Sequence, residues 1–282
     1  MKDFGGRVAV VTGGASGIGF SLASAFAAEG MQVVLADIEE PALDDAVEKL
    51  RASGVEVLGV PTDVSDGAQV QALADEAVAR FGAVHVLCNN AGVGAGGFSW
   101  EAPLSTWEWV LGVNLWGVIH GLRAFVPILM QQPEAHVVNT ASIAGLVAGP
   151  FMGPYNASKH AVVALSETLY HEMGMMAPQV KVSVLCPGWV RTRIAESARN
   201  RPGESGESAE IGGIPMVSEI LKPLIDNGMP PEEVAAKVLD AIRAERFWIL
   251  PHDDTEVFWA NFVNERTQSQ ADRTNPVLRS PF

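Results

Sequence analysis

Six short runs in this chain, RVAVVT, QVVLAD, VEVLGVP, VHVLCN, AHVVNTAS and VKVSVLCP, are almost unbroken in apolar and β-branched residues. A strand that is apolar on both faces must be covered on both faces, which argues against a sheet with one wet side. The stretches between them, GFSLASAFAAEG, PALDDAVEKLRASG, AQVQALADEAVARFG and 106–131, carry helical spacing. Gly30, Gly54 and Gly82 fall where helices end in a left-handed cap. Such alternation gives an α/β architecture: a doubly wound parallel sheet of about seven strands, joined by right-handed crossovers, with helices on both faces.

One segment breaks the rhythm. SARNRPGESGESAEIGGIP is rich in Gly, Ser, Glu and Pro, and reads as part of a long mobile loop over about 194–229. A helix, PPEEVAAKVLDAIRAE, and a short apolar run, RFWILP, follow. A tail from about residue 252 carries Phe258, Trp259 and Phe262, aromatics suited to packing on the body or on a neighbouring subunit. The reading is a single domain over 1–282 with one inserted loop.

Hydrophobic residues make up 48% of the chain, ample for a core, and the formal net charge is −14. That charge argues against nucleic acid or an anionic membrane as partner. Cys88 and Cys186 sit inside apolar runs and read as buried thiols in a reducing compartment. No Cys and His spacing suggests a metal site. The start, MKDFGGRVAVVTGG, has no apolar leader core, and the apolar stretch 109–130 is interrupted by Asn114, His120 and Arg123, so neither a signal peptide nor a membrane span is read. A cytoplasmic protein is the expectation.

The chemistry-bearing residues cluster at the ends of the strand runs. The first run leads into TGGASGIGF, where Gly13, Gly17 and Gly19 permit a tight turn and bring backbone N–H groups close to a pyrophosphate at a helix N-terminus. Ser16 and Ile18 belong to the same turn. Asp37 ends the second run, close to the ~20-residue interval at which an acid reaches an adenosine ribose. Its carboxylate would accept from both ribose hydroxyls and repel a 2′-phosphate. The glycine turn offers Ser16 rather than Lys or Arg, so NAD is favoured over NADP; a strand-end acid that merely caps a helix is the alternative. Asp63 and Val64 end the third run, with Asp63 either near the adenine amine or an ordinary loop acid. Asn90, Ala91 and Gly92 follow the fourth, and Asn114 sits inside a helix, where Asn is unfavourable without a role. Ser142 ends the fifth run, and Pro187, Gly188, Val190 and Thr192 follow the sixth. In GPYNASKHAV, Pro154 suits a first helical turn, which puts Tyr155 and Lys159 on one face, a turn apart. In isolation that pair would be an exposed Tyr and Lys at ordinary spacing.

Taken together, TGGASGIG, Asp37, Asp63–Val64, NNAG, Asn114, Ser142, YNASK and PGWVRT resemble, in order and spacing, the short-chain dehydrogenases/reductases of the single-domain TGxxxGxG and YxxxK type. The resemblance runs from Val8 to about Pro251. It implies a Rossmann-type sheet, with Tyr155 as general acid/base, Lys159 as its activator and a ribose ligand, Ser142 bonded to the substrate oxygen, and Asn114 ordering a water that passes the proton outward. Thr192 and the Val190 backbone would hold the carboxamide. It also implies a homotetramer or homodimer formed through the long helices that contain Asn114 and Tyr155. One departure is His85, where the family commonly has Asp, with a loosened contact beneath the adenine pocket as the expected effect. His160 reads as a surface residue of its helix.

An unperturbed Tyr titrates near ~10, and a neighbouring ammonium plus an oxidised nicotinamide should lower it by about two to three units, roughly 3–4 kcal/mol. Phe98, Leu146, Phe151, Met152, Trp189 and Met216 suggest an apolar pocket for a bulky secondary alcohol or ketone. The MKDF start, the SARNRPGESG insertion and the RFWILPH ending are similar to a subgroup that oxidises benzylic alcohols of lignin-derived aryl ethers. The alternatives are an NADPH-dependent carbonyl reductase of the same fold and a non-catalytic nicotinamide-binding sensor.

Overall fold

The computed structural model describes residues 1–203, 215–252 and 256–275. Its seven strands are β1 (Val8–Thr12), β2 (Gln32–Asp37), β3 (Val57–Pro61), β4 (Val86–Asn89), β5 (Ala135–Thr140), β6 (Val180–Leu185) and β7 (Trp248–Ile249). They form one sheet in the order β3-β2-β1-β4-β5-β6-β7, parallel throughout. The helices between them include α1 (Gly17–Ala28), α2 (Glu40–Arg51) and α3 (Gly67–Phe81), then α4 (Leu104–Leu111) and α5 (Gly117–Leu129). After β5 come α6 (Gly153–Met176), α7 (Pro215–Asp226), α8 (Pro231–Arg243) and α9 (Glu256–Asp272).

Successive strand residues feed two separate cores, which is why the runs are continuous. Val8 and Val10 of β1, with Val34 and Ala36 of β2, pack beneath Leu73, Phe125 and Leu129 on the α3, α5 and α6 side. Ala9 and Val11, with Val33 and Leu35, pack against Leu22, Phe26, Val238 and Ile242 on the α1, α2 and α8 side. Local signals set the helix ends: Asp66 caps α3 by accepting from the Ala68 N–H at 2.8 Å, and Gly82 closes it with φ of 77°.

Four sequence readings change. The helix expected over 106–131 is interrupted by a π-helical turn, Gly112–Trp116, centred on Asn114. The stretch read as loop over 194–229 contains a 3₁₀ segment, Arg193–Asn200, and the helix α7; its apolar spacing at Leu221, Leu224 and Ile225 is obscured by Pro223 and the Gly/Ser-rich flank. Residues 204–214 lie outside the described residues. The tail from 252 includes α9, although the side chains of Phe258, Trp259 and Phe262 lie outside the described set. His85 stands at the amino edge of the sheet, where its Nδ1 accepts from the Val8 N–H at 3.1 Å. It therefore caps β1 at the opposite end from any ligand edge and loosens nothing beneath an adenine pocket.

Phe125 of α5 is fully buried under the sheet. Phe125→Ala should cost about 3–5 kcal/mol through lost burial and a residual cavity, read as a lower denaturation midpoint at unchanged slope.

Candidate active site

Between β1 and β4 the winding of the sheet reverses, and the carboxyl ends of the strands open into a cavity of about 1050 Å³. Gly13, Ser16, Gly17 and Ile18 line it. Gly13 has φ of 63°, and a Cβ there would fall 2.8 Å from the Ala91 Cα. Gly19 lies behind the lining, where a Cβ would collide with the Gly13 carbonyl. The turn thus needs glycine both for its conformation and for its packing on α1. This close-packed, glycine-rich cradle at a helix N-terminus fits a dinucleotide pyrophosphate.

Asp37, at the end of β2, is tied to that cradle: Oδ2 accepts from the Ala15 N–H at 3.0 Å and Oδ1 from the Glu39 N–H at 3.1 Å. Burial pushes its carboxyl above the ordinary value, and the two amide bonds pull the other way. Asp63 and Val64 line the same end, with Asp63 Oδ1 holding the Ser65 N–H and hydroxyl. No cation stands in the glycine turn, yet two arginines arrive from the distant 3₁₀ segment. Arg199 bonds Glu39 at 2.6 Å and Arg193 Nη1 lies 3.9 Å from it. Burial raises the Glu39 carboxyl, but the Arg199 and Asn200 bonds and both guanidinium charges outweigh it and leave the group below its usual range.

A polar seam crosses the strand ends. The Thr12 hydroxyl accepts from the Asn90 and Ala91 N–H groups, Asn90 Nδ2 donates to the Thr12 carbonyl, and the Thr140 hydroxyl donates to Asn90 Oδ1. Lys159 Nζ donates to the Thr140 carbonyl at 3.0 Å. Gly92 lies beside both groups: a Cβ there would stand in ordinary contact with Lys159 Nζ and Asn114 Oδ1, 3.5 and 3.4 Å away. Thr12 and Thr140 went unread in the sequence because a lone strand-end Thr carries no spacing signal. Asn114 is buried rather than lining the cavity. Its Oδ1 accepts from the Val93 N–H, and Nδ2 donates to the Val93 carbonyl and the Ser158 hydroxyl. Both Nδ2 protons and one Oδ1 acceptor site are used, so the Asn114 side chain ties the loop after β4 to α6.

Ser142, Tyr155 and Lys159 meet at the end of β5. The Ser142 hydroxyl accepts from the Ala144 N–H at 3.1 Å and donates to the Pro187 carbonyl at 3.4 Å. A Cβ on Gly145 would lie 2.6 Å from the Lys159 carbonyl, so the turn after Ser142 rests directly on the α6 backbone. Pro154 in the first turn of α6 presents Tyr155 and Lys159 to the cavity, with Nζ 5.6 Å from the Tyr155 ring centre. Burial sets the balance of the pair in the chain by itself. Burial pushes the Tyr155 phenol up, with a Ser142 hydrogen bond pulling down, and burial pulls the Lys159 ammonium down to about 8. The Ser142 hydrogen bond does not outweigh burial, and the phenol stands above its ordinary value.

Pro187, Gly188, Val190 and Thr192 line the cavity beside the glycine turn. Of the expected pocket residues, Phe151, Met152 and Trp189 line it as well. Phe98 stands behind Phe151 in an edge contact at 5.2 Å, and Leu146 packs on the core, so neither forms the wall. The Met216 side chain lies outside the described residues. Trp109 of α4 and Val113 of the π turn, four residues apart, and Leu221, Leu224 and Ile225 of α7 complete an apolar wall. Their helical spacing was present in the sequence, but nothing there aimed it at the site. His160 is more than a surface residue: its Nδ1 faces the Asn156 carbonyl at 2.9 Å, and Arg266 of α9 donates to its Nε2 at 2.7 Å and to the Leu146 carbonyl.

Lys159 titrates lower in the folded chain, at about 8 against an ordinary 10.5. Between those values the folded chain binds fewer protons than the unfolded one, so stability rises with pH across that window. Lys159→Met should therefore gain on the parent near about pH 7 and lose that gain by about pH 10. Urea titrations at the two pH values should differ by roughly 3 kcal/mol in the relative stability of the pair.

The model of the family described as short chain dehydrogenase matches residues 7–203. A CLA biosynthesis dehydrogenase/reductase of Lactiplantibacillus plantarum is 35% identical over 90% of this chain and 91% of its own length. The C alpha-dehydrogenase of a Sphingobium species is 33% identical over 90% and 83%. A crystal structure of a short-chain dehydrogenase/reductase from Burkholderia phymatum in complex with NAD is 47% identical over 99% of both chains, with a TM-score of 0.93. The glycine cradle, the strand order and the Ser142–Tyr155–Lys159 cluster thus belong to a member of the short-chain dehydrogenase/reductase family of oxidoreductases.

Proposed function

We propose that this protein is an NAD(H)-dependent oxidoreductase that interconverts a hydrophobic, bulky or aromatic secondary alcohol and its ketone. The observation that carries the reading is that one cavity joins Asp37 and the glycine turn at one end to Ser142, Tyr155 and Lys159 at the other. The NAD complex of the related Burkholderia phymatum structure supports the choice of cofactor. The wall of Trp109, Val113, Phe151, Met152 and Trp189 beyond the catalytic cluster supports an apolar, aromatic substrate. So does the similarity to a C alpha-dehydrogenase.

When bound, the nicotinamide supplies the hydride acceptor for alcohol oxidation or the donor for ketone reduction. The glycine turn, Asp37, Asp63–Val64, Asn90–Gly92, and Pro187, Gly188, Val190 and Thr192 would hold the dinucleotide. Tyr155 takes the alcohol proton on its phenolate oxygen, or returns it to the ketone oxygen as a phenol. Ser142 hydrogen-bonds the same substrate oxygen and stabilises charge developing there. Lys159, fixed by the Thr140 carbonyl, meets the ribose and adds positive charge beside the phenol. Exposed Trp116 beside α5, with Tyr170, Met175 and Met176 on α6, supports assembly of a homodimer or homotetramer through these helices.

Reduced-nicotinamide absorbance should rise with NAD⁺, and far less with NADP⁺, on bulky benzylic alcohols rather than small aliphatic ones. Tyr155→Phe should lower turnover by about 10²-fold or more while NADH affinity stays within about twofold. A variant that kept parental turnover would remove Tyr155 from the mechanism. Asp37→Ala should narrow the NAD to NADP preference, and an unchanged ratio would release Asp37 from the ribose.

A further inference from the structure

Several donors converge on one carboxylate at the Asp37 end of the cavity. Glu39 Oε1 accepts from Arg199 Nε at 3.0 Å, Arg199 Nη2 at 2.6 Å and Asn200 Nδ2 at 3.0 Å. Arg193 Nη1 lies 3.9 Å from Oε2. These partners do not need Glu39 to stay in place. Arg199 Nη1 donates to the carbonyls of Arg193 and Glu196 within its own 3₁₀ segment, and Arg193 Nε bonds Glu196 Oε2 at 2.9 Å. The segment is also held elsewhere, with the Ser197 hydroxyl accepting from the Gly94 N–H and Arg201 donating to Ser105 and Thr106.

A guanidinium fork fits a phosphate as well as it fits a carboxylate. Here two guanidinium groups and an amide surround an anion that the chain supplies itself, from a position two residues past Asp37. The Glu39 N–H bonds Asp37 Oδ1, and Asp37, Glu39, Arg193, Arg199 and Asn200 all line the same cavity.

We propose that Glu39 is a second determinant of cofactor choice: its carboxylate fills an anion site, made by Arg193, Arg199 and Asn200, that would otherwise receive the 2′-phosphate of a phosphorylated dinucleotide. The inference rests on the reading of Asp37 as the ribose ligand. Asp37 repels the phosphate directly, and Glu39 keeps the nearby cations engaged. Neutralising Asp37 alone therefore removes one barrier and leaves the other.

Calorimetry with 5′-AMP and 2′,5′-ADP, which differ only in the 2′-phosphate, separates the two effects without turnover. The parent should bind 5′-AMP and discriminate against 2′,5′-ADP, and Asp37→Ser should relax that discrimination partially. Adding Glu39→Gln should raise 2′,5′-ADP affinity relative to 5′-AMP by a further ~10-fold or more. Adding Arg199→Ala should return the ratio to that of Asp37→Ser. No further gain from Glu39→Gln, or a gain that survives Arg199→Ala, overturns the proposal. So does a folded double variant that no longer binds 5′-AMP, because Glu39 would then serve only to latch the segment. A parent that binds neither 5′-AMP nor NADH defeats the underlying cofactor reading instead, and the two failures are told apart at that first titration.

Discussion

At the centre of the sheet β1 pairs with β2 on one side and β4 on the other, and the ligand edge exists because of that reversal. The chain crosses to one side of β1 for its first three strands and to the other for the rest. The loops leaving β1 and β4 therefore part at their carboxyl ends rather than covering each other. Thr12 and Asn90 bridge the gap, Thr140 extends the bridge to β5, and Lys159 closes it from α6. A rigid, doubly covered sheet thus holds a polar seam at its one open edge.

That seam divides the electrostatic work. Burial weakens the hold of Lys159 on its own proton, and Tyr155 is raised by the same burial. In a cluster so arranged the burial that holds the phenol up also pulls the ammonium down, so both groups lean toward their neutral forms.

Much of this was legible in the sequence. Unbroken β-branched runs dictated a sheet buried on both faces, and the glycine turn, Asp37 and the Tyr155–Lys159 spacing marked its ligand edge. Three things were not legible. The π turn at Asn114 leaves no mark on composition, and the Asn114 side chain at its centre bonds Val93 in a different loop, which no local spacing encodes. The sign of the Tyr155 shift depends on burial, which no local spacing encodes. The Glu39 cluster joins residues 160 positions apart, and a Glu beside a strand-end Asp resembles any first-turn helix acid until Arg199 is seen beside it.

The π turn also limits how this segment can vary. A turn of five residues in place of four carries one residue beyond helical phase, and each residue of an α-helix rotates its successor by about 100°. Deleting one residue there would close the wide turn to an ordinary helical one and leave α5 in phase, with Phe125 and Leu129 still in the core. What such a deletion would remove is the turn that carries Asn114 to the Val93 backbone. The length of the chain between residues 112 and 116 thus bears on the loop after β4 rather than on the packing of α5.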